Sequence, residues 1–74
     1  MKLLLQSCNA ARPDKRAITK MLENIALGMD NGLARELTDI LLSGSEVDIE
    51  IDDKSHNSAM RSIRKLDIDY EIVE

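Results

Sequence analysis

The sequence predicts an α+β fold of order β-α-α-β-α-β, a three-stranded sheet with three helices packed on one face. Three observations predict it. Val47, Ile49 and Ile51 alternate strictly with Glu46, Asp48, Glu50 and Asp52, the signature of a strand with one dry face and one acidic, wet face. Apolar residues recur at helical spacing in three separate stretches, each bounded by turn or capping residues. Tyr70 is the only aromatic, so the core has to be assembled from Leu, Ile, Met, Val and Ala. The 74 residues are read as a single domain, 1–74. A chain of that length buries about 60–65% of its unfolded surface, which leaves modest stability unless it packs well or associates.

The elements follow in order. Lys2-Leu3-Leu4-Leu5-Gln6-Ser7-Cys8 reads as a strand, and its unbroken leucines suit a covered position in the middle of a small sheet. Pro13 and Asp14 open the first helix, where Pro is tolerated and an early carboxylate complements the dipole. Ala17, Ile18, Met21, Leu22 and Ile25 form its apolar stripe, and Gly28 is placed to cap its end. Asp30 or Asn31 caps a second helix, with Leu33, Leu37, Ile40 and Leu41 on one face and an Arg35/Asp39 pair at i, i+4. That helix stops at Ser43-Gly44. After the alternating strand, Ser55 caps a third helix that turns Ala59, Met60, Ile63 and Leu66 inward. Ile68, Tyr70 and Ile72 then alternate with Asp69 and Glu71 as a last strand. With the first strand between the other two, the open sheet face carries Asp48, Glu50, Asp52, Asp69 and Glu71.

Composition excludes several roles. Cys8 is the only cysteine, so an internal disulfide framework is ruled out. Leu3-Leu4-Leu5 falls far short of the roughly 20 residues that span a bilayer. Gln6-Ser7 ends that run before a signal peptide could form. A cytoplasmic protein without membrane association is expected. Cys8 reads as a half-buried strand-end residue, and His56, the only histidine, as an exposed first-turn residue of the third helix. One Cys and one His lack partners at metal-ligand spacing. Asp48, Glu50, Asp52 and Asp53 lack the glycine-bearing loop that calcium requires. No enzyme, no cofactor and no metal is expected.

Charge is uneven. The chain carries -4, but residues 1–40 hold six basic and five acidic groups, and residues 41–74 hold four and nine. Arg12, Arg16 and Lys20 lie at i, i+4, i+8 beside Lys15, a basic ridge on the first helix. Arg61, Arg64 and Lys65 add cations on the third. Net negative charge and the lack of stacking aromatics speak against a nucleic-acid partner.

Lys15-x-Ala17-Ile18-x-Lys20-x-Leu22, Leu27-Gly28-Met29, and Arg35-Glu36 with Asp39-Ile40-Leu41, set in this element order, resemble the C-terminal domain of the bacterial large-subunit ribosomal stalk protein. The resemblance covers nearly the whole chain and is strongest over residues 14–41. It implies the same fold and a first helix that presents an apolar, basic surface to translation factors. The matching positions are Arg16, Thr19, Lys20 and Glu23, where the family has Val, Ile, Lys and Arg. Only Lys20 is retained, and Glu23 reverses a charge. Neither the anchoring N-terminal part nor the hinge of a stalk protein is expected in these residues. The element order is also similar to the adaptor of the bacterial Clp protease. That adaptor's pocket depends on carboxylates just after the first strand, where this chain has Asn9-Ala10-Ala11-Arg12.

The function expected is a small non-enzymatic protein-interaction module. Its partner is another protein, a translation-associated one under the resemblance. The docking residues expected are Arg12, Lys15, Arg16, Lys20 and Glu23, with the turn Asp30, Asn31 and Gly32. The alternative is an acidic inhibitor or nucleic-acid mimic, of the kind a phage encodes, acting through the open sheet face, or a Clp-adaptor-like protein. Unpaired outer-strand edges admit a homodimer, which their Asp and Glu residues oppose.

Overall fold

A computed structural model describes residues 1–73; Glu74, counted above in the acidic half, lies outside them. The order is β1 (Lys2–Cys8), α1 (Lys15–Ile25), α2 (Asn31–Leu42), β2 (Val47–Glu50), α3 (His56–Lys65) and β3 (Ile68–Val73), with a 3₁₀ turn at Asp53–Ser55 leading into α3. β1 lies between β2 and β3 and runs antiparallel to both. The outer strands are therefore parallel to one another. This is the β-α-α-β-α-β order and α+β class expected.

Side-chain alternation decides which face is covered. Leu3 and Leu5 are fully buried, and so, nearly, are Val47 and Ile49 opposite them. Ile18 and Leu22 of α1, Ala34 and Leu41 of α2, and Ala59 and Ile63 of α3 close over this face. A core without large aromatics works here because small residues let the helices approach closely. Tyr70, opposite Leu5 on the inner face, is half-buried. One feature of β1 is not periodic. Its register against β3 shifts between Leu5 and Ser7, as a bulge does. Strict alternation would send Ser7 inward; instead Ser7 lies opposite Asp69, and Cys8 lies opposite the buried Ile68. Cys8 is half-buried, with Sγ 3.6 Å from the Leu66 carbonyl oxygen.

The helix boundaries correct several expectations. Asp14 caps α1 by accepting from the Ala17 N–H at 3.1 Å, and Asp30 caps α2 by accepting from the Leu33 N–H at 2.8 Å. α1 ends at Ile25, earlier than Gly28 requires, because Ala26 turns extended and bridges to Ile51. The Leu27 N–H then donates to the Glu50 carbonyl at 2.7 Å. Gly28 instead supplies a positive φ of 68° inside the turn. Ser55 holds the cap position of α3 without a side-chain cap bond. Asp52 is the residue that caps here, accepting from the Lys54 N–H. It thereby leaves the acidic sheet face, since β2 ends at Glu50. On α2 the buried line is Ala34, Thr38 and Leu41, while Leu33 and Ile40 are each 42% exposed. No helix among the described residues is long and apolar enough to cross a membrane.

Candidate functional site

α1 and α2 form an antiparallel hairpin joined by residues 26–30. Where they meet, the contact is polar in three successive places. At one end Lys15 forms an ion pair with Asp39. In the middle, the Thr19 and Thr38 hydroxyls lie 3.1 Å apart and buried. At the other end the Asn31 amide donates to the Glu23 carboxylate. Each threonine also has a backbone carbonyl in reach one turn back, Lys15 O at 2.9 Å and Ala34 O at 2.7 Å. Neither buried hydroxyl is left unsatisfied, and their small side chains bring the two helices close.

Above this seam the outer sides of the helices enclose an open groove of about 760 Å³. Lys15, Arg16, Lys20 and Glu23 line it from α1; Asn31, Arg35, Glu36 and Asp39 line it from α2; Thr19 reaches its floor. Four cations face three carboxylates, a net +1 on a chain of -4. Asp39 is engaged by Lys15, and Glu23 by Asn31. Among the described residues, Arg16, Lys20 and Arg35 have no ion-pair partner. The groove thus offers three uncommitted cations held on two packed helices.

Five of the eight residues expected to dock a partner meet here: Lys15, Arg16, Lys20, Glu23 and Asn31. Arg12 stands exposed in the loop before α1. Asp30 is occupied as a helix cap, and Gly32 belongs to the first turn of α2. Arg35, Glu36 and Asp39 were not expected in the site. The i, i+4 spacing of Arg35 and Asp39 suggests an intrahelical pair, but Asp39 turns to Lys15 on the neighbouring helix.

No protein-family model, curated protein or solved structure matches this chain.

Two other regions bear on function. Lys2, Leu4 and Gln6 of β1 face away from the helices, and Leu4 has Asp48 on one side and Glu71 on the other. Glu50 lies opposite Lys2. Asp69 accepts from the Asn9 amide at 2.8 Å, with Ser7 Oγ at 3.5 Å. The open face is thus acidic along both flanks, with a half-buried leucine at its centre. At the start of α3, Asp53 receives the Met1 ammonium at 2.9 Å. That hydrogen bond and charge hold its carboxyl below the usual carboxylate value. His56 Nδ1 lies 2.6 Å from the Asp53 carbonyl oxygen. Cys8 meets the carbonyl of Leu66, just past the C-terminal end of α3. The thiol and imidazole are therefore separated by the helix length, about 15 Å, too far for a nucleophile and its base. No cluster of three or more potential metal ligands occurs among the described residues.

Proposed function

We propose that this chain is a small protein-interaction module without enzymatic activity, acting in the cytoplasm, that docks an acidic surface of a partner protein on the groove between α1 and α2. One observation carries the reading: Arg16, Lys20 and Arg35 ring an open groove with no internal carboxylate engaging them. The packed helices already hold the backbones of these cations in place, so an arriving carboxylate has to order side chains but no main chain. Long-range attraction also speeds encounter. The likeness of residues 14–41 to ribosomal stalk domains supports the same helix and makes translation factors the first partners to look for. Affinity capture with Arg16→Glu/Lys20→Glu beside the wild type tests it. Loss of the captured partner with an unchanged circular dichroism spectrum is expected; undiminished capture would sink the reading.

A second reading rests on the open face, where Asp48 and Glu71 flank Leu4 and stay exposed. Such a face suits an inhibitor or nucleic-acid mimic aimed at a basic site. Neutralising Asp48, Glu50 and Asp69 should then release the target, and added salt should weaken the complex steeply. Binding that survives both treatments excludes this role.

A further inference from the structure

The groove between α1 and α3 plays no part in the reading above except through Lys20, which stands on the crest of α1 and borders both grooves. It holds about 360 Å³ over an apolar floor of Ala17, Met21, Ile25 and Leu66. Met21 is buried, and Ile25 and Leu66 are half-covered. Ala17 and Ser62 line the cleft and are too short to fill it, so the apolar floor stays open to solvent. Lys20 and Lys65 border the groove, and no carboxylate lines it. That is notable on a chain with 14 acidic and 10 basic residues. Neither lysine has an ion-pair partner among the described residues.

We infer that this groove seats one large apolar side chain of an acidic partner segment, whose flanking carboxylates meet Lys20 and Lys65. The inference rests on α1 as the docking element and names the partner's chemistry: an apolar anchor between carboxylates. A ligand of charge alone would leave the half-covered Ile25 and Leu66 wet. A purely apolar ligand would leave two ammonium groups without counter-charge. A segment with both features covers the floor and answers the rims, the arrangement by which a buried anchor within a polar rim supplies most of a small interface's affinity.

The test is a nuclear magnetic resonance titration of isotope-labelled protein with a blocked synthetic peptide, Glu-Asp-Leu-Glu-Glu. Two control peptides accompany it, one with Ser for Leu and one with Lys for every acid. Shifts are expected at Ala17, Met21, Ile25 and Leu66, with the Ser peptide about tenfold weaker and the Lys peptide silent. Ser62→Phe should block the groove. Lys65→Glu, an exposed substitution that leaves the core untouched, should weaken the acidic peptide at least as much. Lys54→Glu, exposed in the turn before α3 and lining neither groove, should not. Equal binding of the three peptides, shifts confined to the groove between α1 and α2, or indifference to Lys65→Glu would each overturn the inference. Partner capture separates the two claims. Capture lost in Arg16→Glu/Lys20→Glu but kept in Lys65→Glu retains α1 as the docking element and removes the second groove. Peptide binding at the second groove, together with capture that ignores Arg16→Glu/Arg35→Glu, two residues that line only the first groove, removes the first groove instead.

Discussion

Asp67 is the one non-glycine residue among those described with a positive φ, 57°. It follows the C-cap Leu66 of α3, donates its N–H to the Arg64 carbonyl at 3.0 Å and accepts from the Asn9 N–H at 2.8 Å. The left-handed turn thus both ends the helix and ties the end of β1 to the start of β3. Asp tolerates that conformation better than most residues, and Gly better still. Asp67→Gly is expected to leave stability unchanged or raise it by up to about 1 kcal/mol, while Asp67→Val should cost about 1–2 kcal/mol. Urea melts of the two variants give the comparison. Asp53 makes a different kind of statement. Its carboxyl is held below its ordinary value of 3.8 by the Met1 ammonium, through a hydrogen bond first and charge second. A carboxyl lowered on folding adds stability that is complete above its unfolded pKa and is lost as pH falls through the lowered folded value. The group is exposed, so the contribution is small and screened. Acetylating Met1 removes the ammonium, and the Asp53 side-chain carbon should then titrate at a higher pH than in the unmodified chain in a carboxylate-resolved pH titration.

At the scale of elements, α2 shows how a stripe of leucines misleads. Leu33, Leu37, Ile40 and Leu41 fall at helical spacing, yet only Leu41 of the four is fully buried. The face turned to the core is Ala34, Thr38 and Leu41, because α1 lies so close that small residues are needed at the crossing. Leu41→Ala should therefore cost about 2–5 kcal/mol, a large share of the stability of so small a domain. Leu33→Lys and Ile40→Lys should each stay within about 0.5 kcal/mol. Thermal melts of the three variants check it: comparable losses in all three would mean that the leucine stripe, to which Leu41 also belongs, is the packed face. The contrast marks what was legible. β2 was readable because its alternation is local, and α1 and α3 because their apolar residues are large and continuous. The bulge in β1, the early end of α1 at Ile25 and the partner of Asp39 were not. Each is decided by a neighbour distant in sequence: β3, β2 and α1 in turn. The site divides the same way. Its α1 half shows as Arg16 and Lys20 at i, i+4 beside Lys15, whereas Arg12, the first member of the expected ridge, lies in the loop before α1. Its α2 half, Arg35, Glu36 and Asp39, joins only once the two helices are docked in register.

Over the whole molecule, the layers carry opposite charge. Uncommitted cations of α1, α2 and α3 lie on the helical side, and carboxylates of β2 and β3 on the open sheet face. That polarity presents a basic surface to a partner although the chain is acidic, and it has a cost within the sheet. Asp48 and Glu71 flank Leu4 from the two outer strands, about 9–10 Å apart by strand spacing. Two like charges at that distance in water repel by about 0.4 kcal/mol before screening. Glu50 is opposite Lys2, and Asp69 accepts from Asn9, so removing either would sacrifice a favourable contact. Asp48→Asn/Glu71→Gln is the informative pair. It changes the net charge from -4 to -2, and Gln can keep the contact to Gln6 that Glu71 makes. The variant should be more stable than wild type by about 0.3 kcal/mol at low ionic strength, a rise in Tm of roughly 1–2 °C for a domain of this size. The gain should vanish near 1 M salt, where the Debye length falls to about 3 Å. Melts of both proteins at about 0.01 M and 1 M salt decide it. A gain that persists at high salt would trace the effect to strand packing, and no gain at all would show that the two flanks of the sheet do not sense one another.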